Sequence, residues 1–174
     1  MPVLTSLRPL SAGDSILYPM GPSGGVGGRF FDDIPDQHLD IPTVSIVRVE
    51  VHYGKTLDSL SVTYQSAGLT AGPFRHGGPG GPNAGNFVVQ PGERLVRVEG
   101  WVHIFFGTAE LNGVKLTVLR PNGTHRNSGV LGNVDGSYFI YVPPPPSEIA
   151  TFFGRQGNFL DALGVYVRNL AIPK

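Results

Sequence analysis

The sequence predicts one all-β domain, and three observations carry that expectation. Twenty-five glycines and 16 prolines among 174 residues interrupt regular elements too often for a helical bundle. Apolar residues alternate with polar ones in many short runs, and no stretch sustains the roughly 3.6-residue period of an amphipathic helix. A chain that is 40% hydrophobic and only 15% charged is too apolar for disorder and long enough for one core.

The runs read as strands in chain order. Residues 43–53 (TVSIVRVEVHY) place Val47, Val49 and Val51 on one face and Ile46, Arg48 and Glu50 on the other. Similar runs cover 60–64, 87–90, 95–106, 114–119, 138–142, 149–153 and 163–167. Asn122-Gly123-Thr124 predicts a turn rather than a glycosylation site, because residues 1–20 hold no apolar run of signal-peptide or membrane-span length. The chain is accordingly expected in the cytoplasm, or released without a signal peptide. Pro143-Pro144-Pro145-Pro146 predicts an extended polyproline II linker, since prolines cannot donate to a strand ladder.

Charge and composition exclude several functions. Thirteen Lys and Arg balance 13 Asp and Glu, so no net field draws the chain to nucleic acid or an anionic membrane, and no membrane insertion is expected. With no Cys there is no disulfide, thiol nucleophile or thiolate zinc site. The five His residues (His38, His52, His76, His103, His125) show no close metal-ligand pair. The cluster Asp32, Asp33, Asp36 and Asp40 lacks the ligand ladder of a calcium loop and reads as solvated loop. Neither metal nor cofactor is expected. Trp101 falls in a strand and reads as core or subunit contact.

Internal repetition is the strongest signal. Gly24-Gly25-Val26-Gly27-Gly28 recurs as Gly77-Gly78-Pro79-Gly80-Gly81, 53 residues later. Gly54-Lys55-Thr56-Leu57-Asp58 recurs as Gly157-Asn158-Phe159-Leu160-Asp161, with the two Asp residues 103 apart. A threefold repeat then requires a middle copy. Thr108-Ala109-Glu110-Leu111-Asn112 supplies it, with Thr108 in the Gly place and Asn112 in the Asp place, and Gly132-Asn133-Val134-Asp135-Gly136 is the matching eroded glycine loop.

These loops, together with Phe31-Asp32-Asp33, Leu60-Ser61-Val62-Thr63-Tyr64, Gly92-Glu93-Arg94-Leu95-Val96, Phe152-Phe153-Gly154-Arg155 and Leu163-Gly164-Val165-Tyr166-Val167, occur in the order and spacing of a known pattern. Over residues 16–170 the chain resembles the jacalin-related lectins, mannose-binding branch. Ser23 departs from the Trp usual at its position, which touches packing. The resemblance implies a β-prism I, three four-stranded antiparallel sheets with pseudo-threefold symmetry, in a single domain of residues 1–174 whose first 18 residues form an N-terminal extension.

Chemistry and resemblance agree on the ligand. A pyranose presents adjacent hydroxyls, which a carboxylate accepts while backbone N–H groups meet the sugar oxygens. The first site is expected at Gly28, Asn158, Phe159, Leu160 and Asp161, and a second at Lys55, Thr56, Leu57, Asp58 and Gly81. For Asp58 the alternative is a side chain that only stabilises its own turn. The third copy is expected to be silent, because neutral Asn112 replaces the carboxylate. By resemblance, the loop at Phe105-Phe106-Gly107-Thr108-Ala109 tunes selectivity, with Phe106 able to flank a second sugar ring. An uncut segment before the glycine loop favours mannose or glucose over galactose.

Catalysis is not expected. Asp58 and Asp161 sit in separate repeats, with no second acid foreseen beside either, and no nucleophile elbow or dinucleotide fingerprint occurs. The competing function is a β-prism interaction module without sugar binding. Weak single sites favour several per particle, hence a homodimer or higher homo-oligomer. Leu4, Leu7, Leu10, Ile16 and Leu17 are one candidate contact.

Overall fold

The computed structural model describes residues 17–170. In chain order the strands are β1 (Leu17–Gly24), β2 (Arg29–Asp32), β3 (Ser45–Tyr53), β4 (Leu57–Ser66), β5 (Leu69–Gly77), β6 (Asn83–Val88), β7 (Arg94–Phe105), β8 (Thr108–Leu119), β9 (His125–Gly132), β10 (Ser137–Tyr141), β11 (Ser147–Gln156) and β12 (Leu160–Asn169). One helical turn, α1 (Asp33–Asp36), follows β2. They form three four-stranded antiparallel sheets, ordered β1-β12-β11-β2, β5-β4-β3-β6 and β10-β7-β8-β9.

Each sheet repeats one plan. A central pair (β11 and β12, β3 and β4, β7 and β8) is joined by the Asp- or Asn-bearing loop, and the two edge strands are joined by a glycine loop. In the first sheet the edges are the first two described strands and the centre is the last two, so β1 and β2 close onto β12 and β11. The inner central strands supply the core: Leu57, Leu60, Val62 and Tyr64 from β4, Leu111, Val114, Leu116 and Val118 from β8, and Leu160, Leu163, Val165 and Val167 from β12. Each such aliphatic side chain, fully removed from water, contributes about 1.5–3 kcal/mol of transfer free energy.

Several sequence expectations change. Strands β1, β2, β5 and β9 carry no clean alternation and were not foreseen; all four are edges, where only one neighbour imposes a pattern. Pro22 in β1 and Pro73 in β5 each fall where the register to the central strand slips. Val47 does not share the buried face with Val49 and Val51: the register slips between Ile46 and Arg48, so Ile46 joins them in the core. The run 95–106 ends as a strand at Phe105, 87–90 belongs to a strand ending at Val88, and 138–142 to one ending at Tyr141. Prolines 143–146 do join two strands, β10 to β11, but the run bends at Pro145 and Pro146 instead of continuing as a straight linker. The turn at Asn122 forms as expected, its Oδ1 accepting from the Thr124 N–H (3.1 Å) and hydroxyl (2.7 Å). Leu4, Leu7, Leu10 and Ile16 lie outside the described residues, whereas Leu17 and Tyr18 open β1, opposite Arg168 and Val167.

The acidic cluster is the largest correction. Asp32 caps α1 through the Ile34 N–H and accepts from the Tyr166 hydroxyl (2.8 Å), while Asp33 is fully buried rather than solvated. Tyr64 donates its hydroxyl proton to Asp33 Oδ2 and accepts the Phe152 N–H at 3.2 Å. His76 Nε2 lies 2.8 Å from Asp33 Oδ1, and its ring stacks on Phe31 at 3.7 Å between centroids. Burial together with the Asp33 charge pushes the Tyr64 hydroxyl pKa well above its ordinary value. This cluster ties α1 and the first sheet to the second. Ser23, in the Trp place, is hydrogen-bonded to the Tyr141 hydroxyl (2.7 Å).

Candidate functional site

All six repeat loops gather at one end of the prism, and each glycine loop is hydrogen-bonded to the opposing turn of its own sheet. Gly25 N–H donates to the Asp161 carbonyl (2.8 Å), Gly78 N–H to the Asp58 carbonyl (2.9 Å) and Asn133 N–H to the Asn112 carbonyl (2.9 Å). The threefold relation inferred from spacing is therefore met at the level of single backbone bonds.

At the first site the turn closes through Gly157 N–H to Phe159 carbonyl (3.0 Å), which delivers Asp161 as the second residue of β12. Asp161 is only 4% exposed, and both of its carboxylate oxygens face the glycine loop. A Cβ at Gly27 would lie 2.9 Å from Oδ1; one at Gly28 would lie 2.7 Å from Oδ2 and 2.3 Å from the Gln156 carbonyl. Gly28 also has φ +64°, so glycine is required there twice over. Arg155 braces the loop from β11, Nε to the Gly27 carbonyl (2.8 Å) and a terminal nitrogen to the Gly28 carbonyl (2.9 Å). The N–H groups of Gly28, Asn158 and Phe159 donate to no acceptor among the described residues. Leu160 is fully buried and presents only backbone to the site. Burial raises the Asp161 pKa, while contact with Glu110 and the Arg155 charge pull it back.

The second site repeats this geometry. Asp58 is 9% exposed, with Oδ1 2.6 Å from a Cβ at Gly80 and Oδ2 3.0 Å from one at Gly81, whose φ is +95°. Gly54 N–H donates to the Thr56 carbonyl (3.0 Å) and stands near enough to the Asp58 carboxylate to pull its pKa down. Burial raises its pKa, and the Gly54 bond opposes the rise. Lys55 is exposed, Leu57 is core, and the Thr56 side chain turns away from Asp58: its hydroxyl donates to the Leu111 carbonyl (3.0 Å) and meets His103 Nε2 (3.0 Å). Only the backbones of Thr56 and Leu57 face the pocket.

The third copy is filled by the protein itself. Asn112 Nδ2 donates to the Asp135 carbonyl (2.9 Å), and Asn133 Nδ2 donates to Asn112 Oδ1 (3.1 Å) and to the Gly54 carbonyl (3.0 Å). The side chain that stands in the place of Asp58 and Asp161 is thus spent on its own loop.

Three participants were missed by sequence reasoning. Arg155 and Gln156 stand just before the turn; Gln156 Oε1 accepts the Gly77 N–H (3.0 Å) and couples the second glycine loop to the first site. Glu110 overturns the expectation that no second acid lies beside Asp161: it is 6% exposed, and its carboxyl contacts that of Asp161. Its place in the eroded repeat was visible, but its direction was not. Beside the first site, Phe105 packs edge-on against Phe159 (5.3 Å) and Phe106 (4.5 Å), with Phe106 itself 89% exposed. Among the described residues no group of three or more His, Cys, Asp or Glu is placed to hold a metal ion.

Residues 20–166 match the model of the Jacalin-like lectin domain. The chain is 28% identical over 157 residues to Jacalin-related lectin 3 of Arabidopsis thaliana, an alignment covering 89% of this chain and 24% of that protein. It therefore spans about a quarter of that relative. It is 29% identical to horcolin of Hordeum vulgare, covering 85% of this chain and 94% of horcolin. Among solved structures it resembles artocarpin complexed with Me-alpha-mannose, with TM-score 0.73 and 27% identity over 89% of this chain and 99% of artocarpin.

Proposed function

The chain belongs to the jacalin-like lectin family, and from that premise we propose that it is a lectin for mannose- or glucose-type sugars. One observation carries the reading: in two of three repeats a nearly buried carboxylate lies directly against a pair of glycines, whose missing side chains let the loop backbone come up beside it. In the first site Asp161 accepts two neighbouring sugar hydroxyls, while the N–H groups of Gly28, Asn158, Phe159 and Leu160 meet ring and hydroxyl oxygens. The second site uses Asp58 in the same way, with Gly81 and the backbone of Lys55, Thr56 and Leu57. The family resemblance to a mannoside-bound structure supports the choice of sugar.

A binding role also fits the acid pair better than hydrolysis does. Glycosidase carboxyl groups flank the scissile bond roughly 5–9.5 Å apart. Glu110 and Asp161 instead lie within hydrogen-bond reach of one another, and both are nearly buried.

Retention on a mannose resin, eluted by methyl α-mannoside and indifferent to chelator, tests the function. Asp161→Ala is expected to abolish first-site binding; unchanged retention would refute the site. A native protein that ignores every sugar on a glycan array would make the chain an interaction module instead.

A further inference from the structure

We propose that Glu110 is a positioning residue of the first sugar site, sharing one proton with Asp161 so that the site binds sugar more tightly when that proton is present. The inference rests on the lectin reading above.

Glu110 holds the third position of its repeat's loop, where the other repeats have Thr56 and Phe159. Thr56 turns to the Leu111 carbonyl, and Phe159 packs on Phe105. Glu110 alone sends a carboxyl to the ligand carboxylate of the neighbouring repeat. The first glycine loop is seated on the same segment: a Cβ at Gly25 would strike the Ala109 carbonyl at 2.1 Å, and one at Gly27 would touch Thr108 Cγ2 at 3.4 Å. Glu110 Oε2 is buried without a hydrogen-bond partner. Two ionised carboxylates are both acceptors, so their contact requires a proton on one of them.

The surroundings decide which one. Burial, then the Asp161 charge, push Glu110 up to about 7, and Glu110 is thus the donor. The other charged groups near the pair are Arg155, which lowers the Asp161 pKa, and His103, the cross-strand partner of Glu110, with Asp135 near it. Burial lowers the His103 pKa, leaving it neutral where Glu110 titrates. A sugar seated on Asp161 removes further water from the pair and so disfavours the doubly ionised state more than the singly ionised one. By linkage, sugar binding takes up a proton near neutral pH, and affinity falls as Glu110 ionises.

Calorimetric titration of the full chain with methyl α-mannoside, in buffers of different ionisation enthalpy, reads both effects. Affinity at about pH 8 should be roughly three- to tenfold below that at about pH 6, since one unit of pKa coupling is tenfold. Net proton uptake should accompany binding near pH 7. Glu110→Gln, which keeps a donor but cannot ionise, should hold the acid-side affinity across the range with no uptake. A flat profile in the native protein, or an unchanged slope in Glu110→Gln, overturns the inference. If that variant fails to fold, carbon-13 titration of the Glu110 carboxyl in the native protein decides: a pKa in the ordinary range, or one that mannoside does not raise, overturns it equally. Binding that ignores pH sinks this inference alone, whereas absence of binding at every pH sinks the lectin reading.

Discussion

Gly28 and Tyr64 illustrate two different demands on single residues. Gly28 answers to the proposed sugar site and to the backbone together: a methyl group there would meet the Gln156 carbonyl and Asp161 Oδ2 in a left-handed conformation. Gly28→Ala is expected to remove first-site binding and to cost about 1–3 kcal/mol of stability, checked by denaturant unfolding alongside mannoside titration. Tyr64 answers to folding. Its hydroxyl is the donor that satisfies buried Asp33 and the acceptor for the Phe152 N–H, so Tyr64→Phe leaves two buried polar groups short of a partner. A loss of about 2–4 kcal/mol, with sugar affinity unchanged in the fraction that remains folded, is the expected outcome by urea titration. Gly28 was legible from the repeat; the role of Tyr64 was not, because its partners lie 31 and 88 residues away in sequence.

At the level of elements, glycines inside strands act as seats for aromatic rings. Phe139 of β10 lies directly across from Gly100 of β7, and Phe153 of β11 across from Gly164 of β12. A Cβ at Gly100 would fall 2.2 Å from the Phe139 ring, and one at Gly164 would fall 2.4 Å from the Phe153 ring. Gly100→Ala should therefore force Phe139 aside and loosen β10, costing about 1–3 kcal/mol, with faster amide exchange in β10 as the distinguishing readout. The seam between β6 and β9 is held differently. Arg126 of β9 grips Glu93 through two nitrogens (3.0 and 2.5 Å), donates to the Val88 carbonyl (2.7 Å) and lies over Phe87 at 4.4 Å. The Arg126 contact lowers the Glu93 pKa, so the stability it lends is present above the ordinary carboxylate range and is lost as pH falls through the lowered value. Central strands were legible because both neighbours and the core impose alternation, as in the expected runs within β3, β4, β7, β8, β11 and β12. Most edge strands were not, because proline, glycine and bulges break their pattern while a single neighbour still holds them.

For the whole molecule, the proposed sites each offer only a few hydrogen bonds to one sugar, and sites of that kind give useful affinity for a surface only when several share a particle. A homodimer or higher homo-oligomer is expected by light scattering, with agglutination of mannose-bearing particles lost on dilution to monomer; a monodisperse monomer that still agglutinates would locate that valency in the two sites of one chain. The amino-acid sequence by itself determined the three-part plan, the pairing of Gly28 with Asp161 and of Gly81 with Asp58, and the decay of the third copy, because these depend on local turn chemistry repeated at fixed spacing. Tertiary structure alone decided that Asp33 is buried, that Asn112 is consumed by its own loop, and that Glu110 of the eroded repeat stands against Asp161 of the first. Those facts arise where the three sheets meet. Which side chain crosses such a seam depends on the packing of segments distant in sequence, and no local pattern encodes that direction.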